Sequence, residues 1–153
     1  MSTLKRSALF LFALIFAMAA TGCGPSAEET YFTNLQPAVE DYNTAINEVG
    51  AQFDSINNDA LNDQAWMDAT FAALDHMESA AQTIAATPAD QVPEKWADLN
   101  NLLVQVSDQT SLFVSDMKSA LEAQDKDAML AALDEFAAIG PLFEQVQAEL
   151  NAQ

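Results

Sequence analysis

Cys23 and His76 are the single cysteine and single histidine of this 153-residue chain, and most chemistry open to either needs a partner. Covalent haem attachment takes Cys-x-x-Cys-His, and there is no second cysteine. A carboxylate-bridged di-iron site takes two Glu-x-x-His pairs, whereas Ala73 stands three residues before His76. Non-covalent haem could use His76 with a methionine of another helix. At about 100° per residue, however, His76 lies opposite Phe71, Leu74 and Met77, among Ala69, Ala72 and Ala80. Its expected place is the flank or outside of a helix. Met67, Met77, Met117 and Met129 are soft-metal ligands by type. The last three fall on or beside apolar stripes, where methionine fills a core. The stretch Asp54-Ser-Ile-Asn-Asn-Asp59 offers oxygens to calcium but lacks the Asp-x-Asp-x-Asp-Gly order and the closing glutamate of an EF-hand loop. No Gly-x-Ser-x-Gly or phosphate-cradling loop occurs. The carboxylate pairs Glu40-Asp41 and Asp134-Glu135 are sequence neighbours, which on a helix point about 100° apart. The expectation is a protein with no catalytic residue, no metal site and no cofactor.

Cys23 has a different use. Lys5 and Arg6 open the chain, and Ala8 to Met18 is uniformly apolar. The small residues Ala19, Ala20, Thr21 and Gly22 then lead to the thiol. A basic start, a short apolar run and a small-residue exit make a secretory signal. The run is shorter than the roughly 20 residues that span a bilayer as a helix. Ala20-Thr21-Gly22-Cys23 resembles the lipobox of bacterial lipoproteins, with Ala20 where that family usually carries leucine. The resemblance implies cleavage between Gly22 and Cys23 and acylation of Cys23, palmitate being a typical chain. Two or three acyl chains anchor stably where one binds marginally. Gly24, in place of the aspartate that resembles an inner-membrane retention signal, points to the outer membrane of a Gram-negative host.

The expected organisation is therefore a signal peptide over 1–22, a lipidated tether over 23–26, and one domain over 27–153. Removing residues 1–22 leaves three lysines, no arginine and all 23 acids, a net charge of about −20. Without a basic stripe to neutralise phosphates, nucleic acid is excluded as a partner. The acids are spread from Glu28 to Glu149 in runs no longer than two, the pattern of solvated helix faces.

Four segments carry apolar residues at steps of three and four. The first runs Tyr31, Leu35, Val39, Tyr42, Ile46, Val49, Phe53, Ile56, with Ser26 and Glu29 spaced as a capping box. Pro37 inside it predicts a kink there or a helix start near Asn34. Asn57-Asn58-Asp59 reads as a turn. The second segment, capped by Asp63, runs Trp66, Phe71, Leu74, Met77, Ala81, Ile84. Thr87 to Pro93 is a connection, with Pro93 suited to the first turn of the next helix. The third runs Trp96, Leu99, Leu103, Val106, Thr110, Phe113, Met117, Leu121. The fourth, capped by Asp125, runs Met129, Ala132, Phe136, Ile139, Phe143, Val146, Leu150, with Gly140-Pro141 bending it. No alternating strand pattern appears. The fold class expected is all-α, an up-down-up-down four-helix bundle behind a cleaved lipoprotein signal peptide.

The Tyr31…Leu35-Gln-Pro37 opening, the Pro88…Pro93 connection into Trp96 and the Asp125-initiated last helix resemble small bacterial lipoproteins that carry one helical bundle. That resemblance implies an anchor and a fold but no activity. The function expected is a non-enzymatic, lipid-anchored envelope protein with a structural, accessory or protein-interaction role. Its partners would be the membrane, through Cys23, and another protein or a second copy. The alternative is a small-ligand or cation-binding module, which needs a cavity near Thr110, Gly50, Pro37 or Pro141. Thr110 is expected to bond back to the Val106 carbonyl or to line such a cavity. Trp66 and Trp96 are expected to plug the ends of the core.

Overall fold

The computed structural model describes residues 25–55 and 60–152, which form five α-helices and three short 3-10 turns, with no strand among them. The helices are α1 (Ala27–Asp54), α2 (Gln64–Ile84), α3 (Ala97–Ala123), α4 (Lys126–Ala137) and α5 (Gly140–Ala152). Residues 1–24, with the predicted signal, Gly22 and Cys23, lie outside the described residues. So do Ile56 and the predicted turn at Asn57-Asn58-Asp59.

The helix starts follow local chemistry. Ser26 caps α1, its Oγ accepting from the Glu29 N–H at 3.1 Å. Asp63 accepts from the N–H groups of Ala65 at 2.9 Å and Trp66 at 3.4 Å. Asp125 accepts from Asp127 at 3.0 Å and Ala128 at 3.1 Å. Each cap satisfies backbone donors that a helix cannot pair for itself. Gln124 ends α3 at φ 52°, a left-handed position where glycine is the usual choice. Its side chain has a task there, since Nε2 donates to the Leu61 carbonyl at 3.0 Å and ties the α1–α2 connection to the end of α3.

Two breaker expectations resolve differently. Gly140-Pro141 does interrupt the last segment. α4 stops at Ala137 and α5 starts at Gly140, with Ile139 buried between them. Pro37 does not set the start of α1, which begins ten residues earlier and runs through it. Pro37 is exposed, so the carbonyl of Thr33 that it cannot pair with faces the solvent side.

The core is one cluster to which every helix contributes. α2 packs against α1 and α3, and α3 against α4 and α5. All eight predicted stripe residues of the third segment, from Trp96 to Leu121, are buried. On α1 the inward positions are Tyr31, Leu35, Ala38, Tyr42, Ala45, Val49 and Phe53. Val39 and Ile46, predicted to face in, sit half-buried at the margin. Ala38 and Ala45 are buried on α1, and α2, which packs against it, buries Ala73, Ala80 and Ala81. Small residues at such a seam let two helix backbones come close.

Pro37 gives a direct test of how continuous α1 is. Pro37→Ala restores one backbone hydrogen bond on an exposed face and should raise stability by about 1–3 kcal/mol, read as a shift of the urea midpoint with an unchanged m-value.

Candidate functional site

The polar groups fall into three places: a hydrogen-bonded layer between α1 and α3, ion pairs along the helix seams, and an open groove between α3 and α4.

The buried layer centres on Thr110. Its hydroxyl donates to the Val106 carbonyl at 2.7 Å, as expected of a threonine inside a helix. With that hydrogen committed, the 2.6 Å contact to Tyr42 must be the phenol donating to Thr110 Oγ1. Nearer the start of both helices Tyr31 donates to Asn100 Oδ1 at 3.4 Å. The Tyr42 ring also lies 6.1 Å from Phe143 of α5. Burial raises both phenols to about 12. Thr110 is thus packed and bonded on two sides. Gly50, Pro37 and Pro141 are all exposed, so the positions where a cavity was expected do not converge inside.

Trp96 belongs to the buried core and Trp66 packs against it. Trp96, 3% exposed, meets Phe32 edge-to-face at 4.8 Å and carries the Lys95 ammonium 5.0 Å from its ring centre. Its Nε1–H is buried with no acceptor among the described residues. Trp66 stacks edge-on against Phe53 at 6.4 Å and donates to the Gln52 carbonyl and Ser55 Oγ, both at 3.3 Å. Met77, Met117 and Met129 are buried in the apolar cluster and Met67 packs against it, which is core filling. Among the described residues no group of three His, Cys, Asp or Glu side chains is placed to hold a metal ion.

The cations were the least legible residues. His76 is on the flank of α2, as its position predicts, but it reaches across to α1. Nδ1 lies 2.7 Å from Glu48 Oε2 and Nε2 3.2 Å from Asp41 Oδ1. These bonds, Glu48 first and Asp41 second, hold its pKa above the usual 6.5 against an opposing effect of burial. Lys118 of α3 binds Asp75 of α2 and approaches Glu78 at 3.5 Å. Lys95, ahead of α3, lies 3.9 Å from Glu28 at the start of α1. The seven-residue step from Asp41 to Glu48 is the one sequence signal that could have placed both acids on one face of α1.

The groove measures about 320 Å3 and is open to solvent. Ala120, Ala123, Ala128, Ala131 and Ala132 line it, with Asp116, Asp125 and Glu135 supplying carboxylates. The large apolar side chains exposed on the described surface are Val104, Leu112 (55%) and Leu130 (61%), spread over α3 and α4. Scattered single residues of this kind are ordinary on a protein surface.

No protein-family model matches the chain, and no curated protein and no solved structure matches it.

The hydrogen-bond directions around Thr110 predict unequal mutants. Thr110→Val strands the Tyr42 hydroxyl, which belongs to a residue only 2% exposed, and should cost about 1–3 kcal/mol. Tyr42→Phe leaves the Thr110 hydrogen still bonded and should cost about 0.5–1.5 kcal/mol, with the double variant close to the milder single one. Denaturant titration of the three variants measures the ordering. The same burial sets an alkaline limit. A phenol whose native pKa is raised stabilises the fold fully below its ordinary value of 10.0, and that stability is lost as pH rises toward about 12. The chain has two tyrosines, so phenolate absorbance should lag behind that of a model phenol until helical circular dichroism is lost over the same window.

Proposed function

We propose that this chain is an exported bacterial lipoprotein whose bundle acts by contact in the cell envelope, in a structural or accessory role and without catalysis. Cleavage after Gly22 would leave residues 23–153, with Cys23 as the acylated N-terminus and the membrane as one partner. The outer membrane is the reading for a Gram-negative host, since Gly24 comes after the cysteine. A protein or a second copy of the chain would be the other partner. The reading includes no cofactor, no metal and no nucleic acid.

The observation that carries this reading is that the groups best suited to chemistry are engaged with one another. Tyr42 and Thr110 are bonded to each other, and His76 is held between Asp41 and Glu48. The ligand-binding alternative needed an interior cavity. What lies at its expected positions is a bonded Thr110 and three exposed residues. No helix among the described residues is long and apolar enough to cross a membrane. A held position there would therefore rest on the acyl chains at Cys23.

An up-down-up-down course belongs to the same reading. Tyr31 pairs with Asn100 and Tyr42 with Thr110, ascending together as parallel first and third helices would. α1 begins at Ala27, four residues after Cys23, a reach of about 14 Å at full extension. The start of α1 and the Lys95–Glu28 contact would then face the lipid headgroups. The acidic remainder would stand away from an anionic surface.

Extraction from native membranes in mild detergent, followed by native mass spectrometry, tests the proposal. The expected peak is residues 23–153 plus acyl chains, either bare or bound to protein. A mass that retains residues 1–22 without acylation would overturn the anchor. A stoichiometric small molecule or metal would replace the contact role with the ligand-binding one.

A further inference from the structure

The His76 geometry specifies a protonation state before any titration is considered. Both ring nitrogens face a carboxylate oxygen, Nδ1 toward Glu48 at 2.7 Å and Nε2 toward Asp41 at 3.2 Å. A neutral imidazole carries one N–H, so its second nitrogen would point a lone pair at an acceptor. Only the imidazolium satisfies both contacts. A single metal ion fits poorly, because the two carboxylates lie on opposite nitrogens and an ion at either one would meet only one of them.

The surroundings leave the proton little competition. α1 presents Asp41 and Glu48 to the ring. On α2 itself Asp75 and Glu78 flank His76 in sequence but are engaged by Lys118 of α3. The turn Ala60–Asn62 beside α2 brings no titratable group. Ala38 and Ala45 of α1 and Ala73 and Ala80 of α2 are all buried, and Ala73 and Ala80, three and four positions from His76, share its side of α2. Alanines contribute less apolar burial than larger side chains, so the polar contact beside them weighs more in holding this stretch.

We propose that His76 is a proton-operated clasp on the α1–α2 seam. Charged, it ties both Asp41 and Glu48 of α1 to α2. On losing its proton it can hold only one of them, two carboxylates two turns apart on α1 are left without a counter-charge, and the seam loosens between residues 41 and 48. The device does not depend on where the chain resides. Its sign comes from the raised native pKa: stabilisation is complete below the ordinary 6.5 and is lost as pH rises through the higher native value.

The single histidine makes the test clean. In the detergent-purified full-length chain, the labelled His76 ring should titrate with a midpoint above 6.5. Over the same pH range, amide hydrogen exchange of residues 38–52, corrected for intrinsic rates, should quicken by about two- to fivefold, the range a partly exposed ion pair supports. Amides of α3 should not change. His76→Gln should exchange quickly over residues 38–52 at every pH, without the step. Asp41→Asn and Glu48→Gln should each lower the midpoint, which keeps the test valid even if the glutamine variant folds poorly. A midpoint at or below 6.5, a midpoint unmoved by both acid substitutions, or a pH step that survives in a folded His76→Gln chain would each overturn the clasp.

Discussion

The packing of this protein depends on α3 having to be covered on more than one side. Eleven of its 27 residues are buried, and they do not form a single line. Leu99, Leu103, Val106, Thr110, Phe113, Met117 and Leu121 make one strip, and Asn100, Ser107 and Val114 widen it. A helix with so broad a buried face needs neighbours on several flanks, and α3 packs against α2, α4 and α5. α1 reaches it through the tyrosines, whose length lets the phenols arrive at Asn100 and Thr110. Polar α3 residues are tolerable in that position because they are bonded. An unpaired hydroxyl buried at the same depth would cost about 1–3 kcal/mol.

Charge imposes the second constraint. With 23 acids and so few cations, the helices would repel one another wherever acidic faces approach, and the compact state is weakened by such self-repulsion. Three of the cations are placed where that matters. His76 bridges α1 and α2, Lys118 joins α3 to α2, and Lys95 links the start of α3 to the start of α1. Each is a partly exposed contact of modest strength. Together they neutralise acids at seams and leave the outward carboxylates to solvent and counterions, whose screening acts over roughly 8 Å at physiological salt.

The groove between α3 and α4 reflects the same economy of side-chain size. Alanines at 120, 123, 128, 131 and 132 allow the chain to turn back through Gln124 and Asp125 with little bulk to accommodate. The concavity that results is shallow and open. It is a by-product of a tight reversal as much as a surface feature, and Phe113 against Phe136 at 4.7 Å supplies the firm contact between these helices farther along.

The amino-acid order by itself determined the helices, their caps at Ser26, Asp63 and Asp125, the whole α3 stripe and the break at Gly140-Pro141. These are properties of a chain and its nearest turns: an i,i+3 or i,i+4 spacing, a side chain reaching its own backbone, a residue without an N–H. Pro37 marks the edge of that legibility. Local preference put a kink or a start there, and α1 starts ten residues earlier and continues through it. The structure alone decided that Ala38 and Ala45 are buried while Val39 and Ile46 stay at the margin, because rotation of a helix about its axis is set by the shape of its partners. It also decided that Tyr42 meets Thr110 and that His76 meets Asp41 and Glu48. Those pairs are 68, 35 and 28 residues apart, and such a contact depends on the register and approach of two helices, which no periodicity within either one encodes.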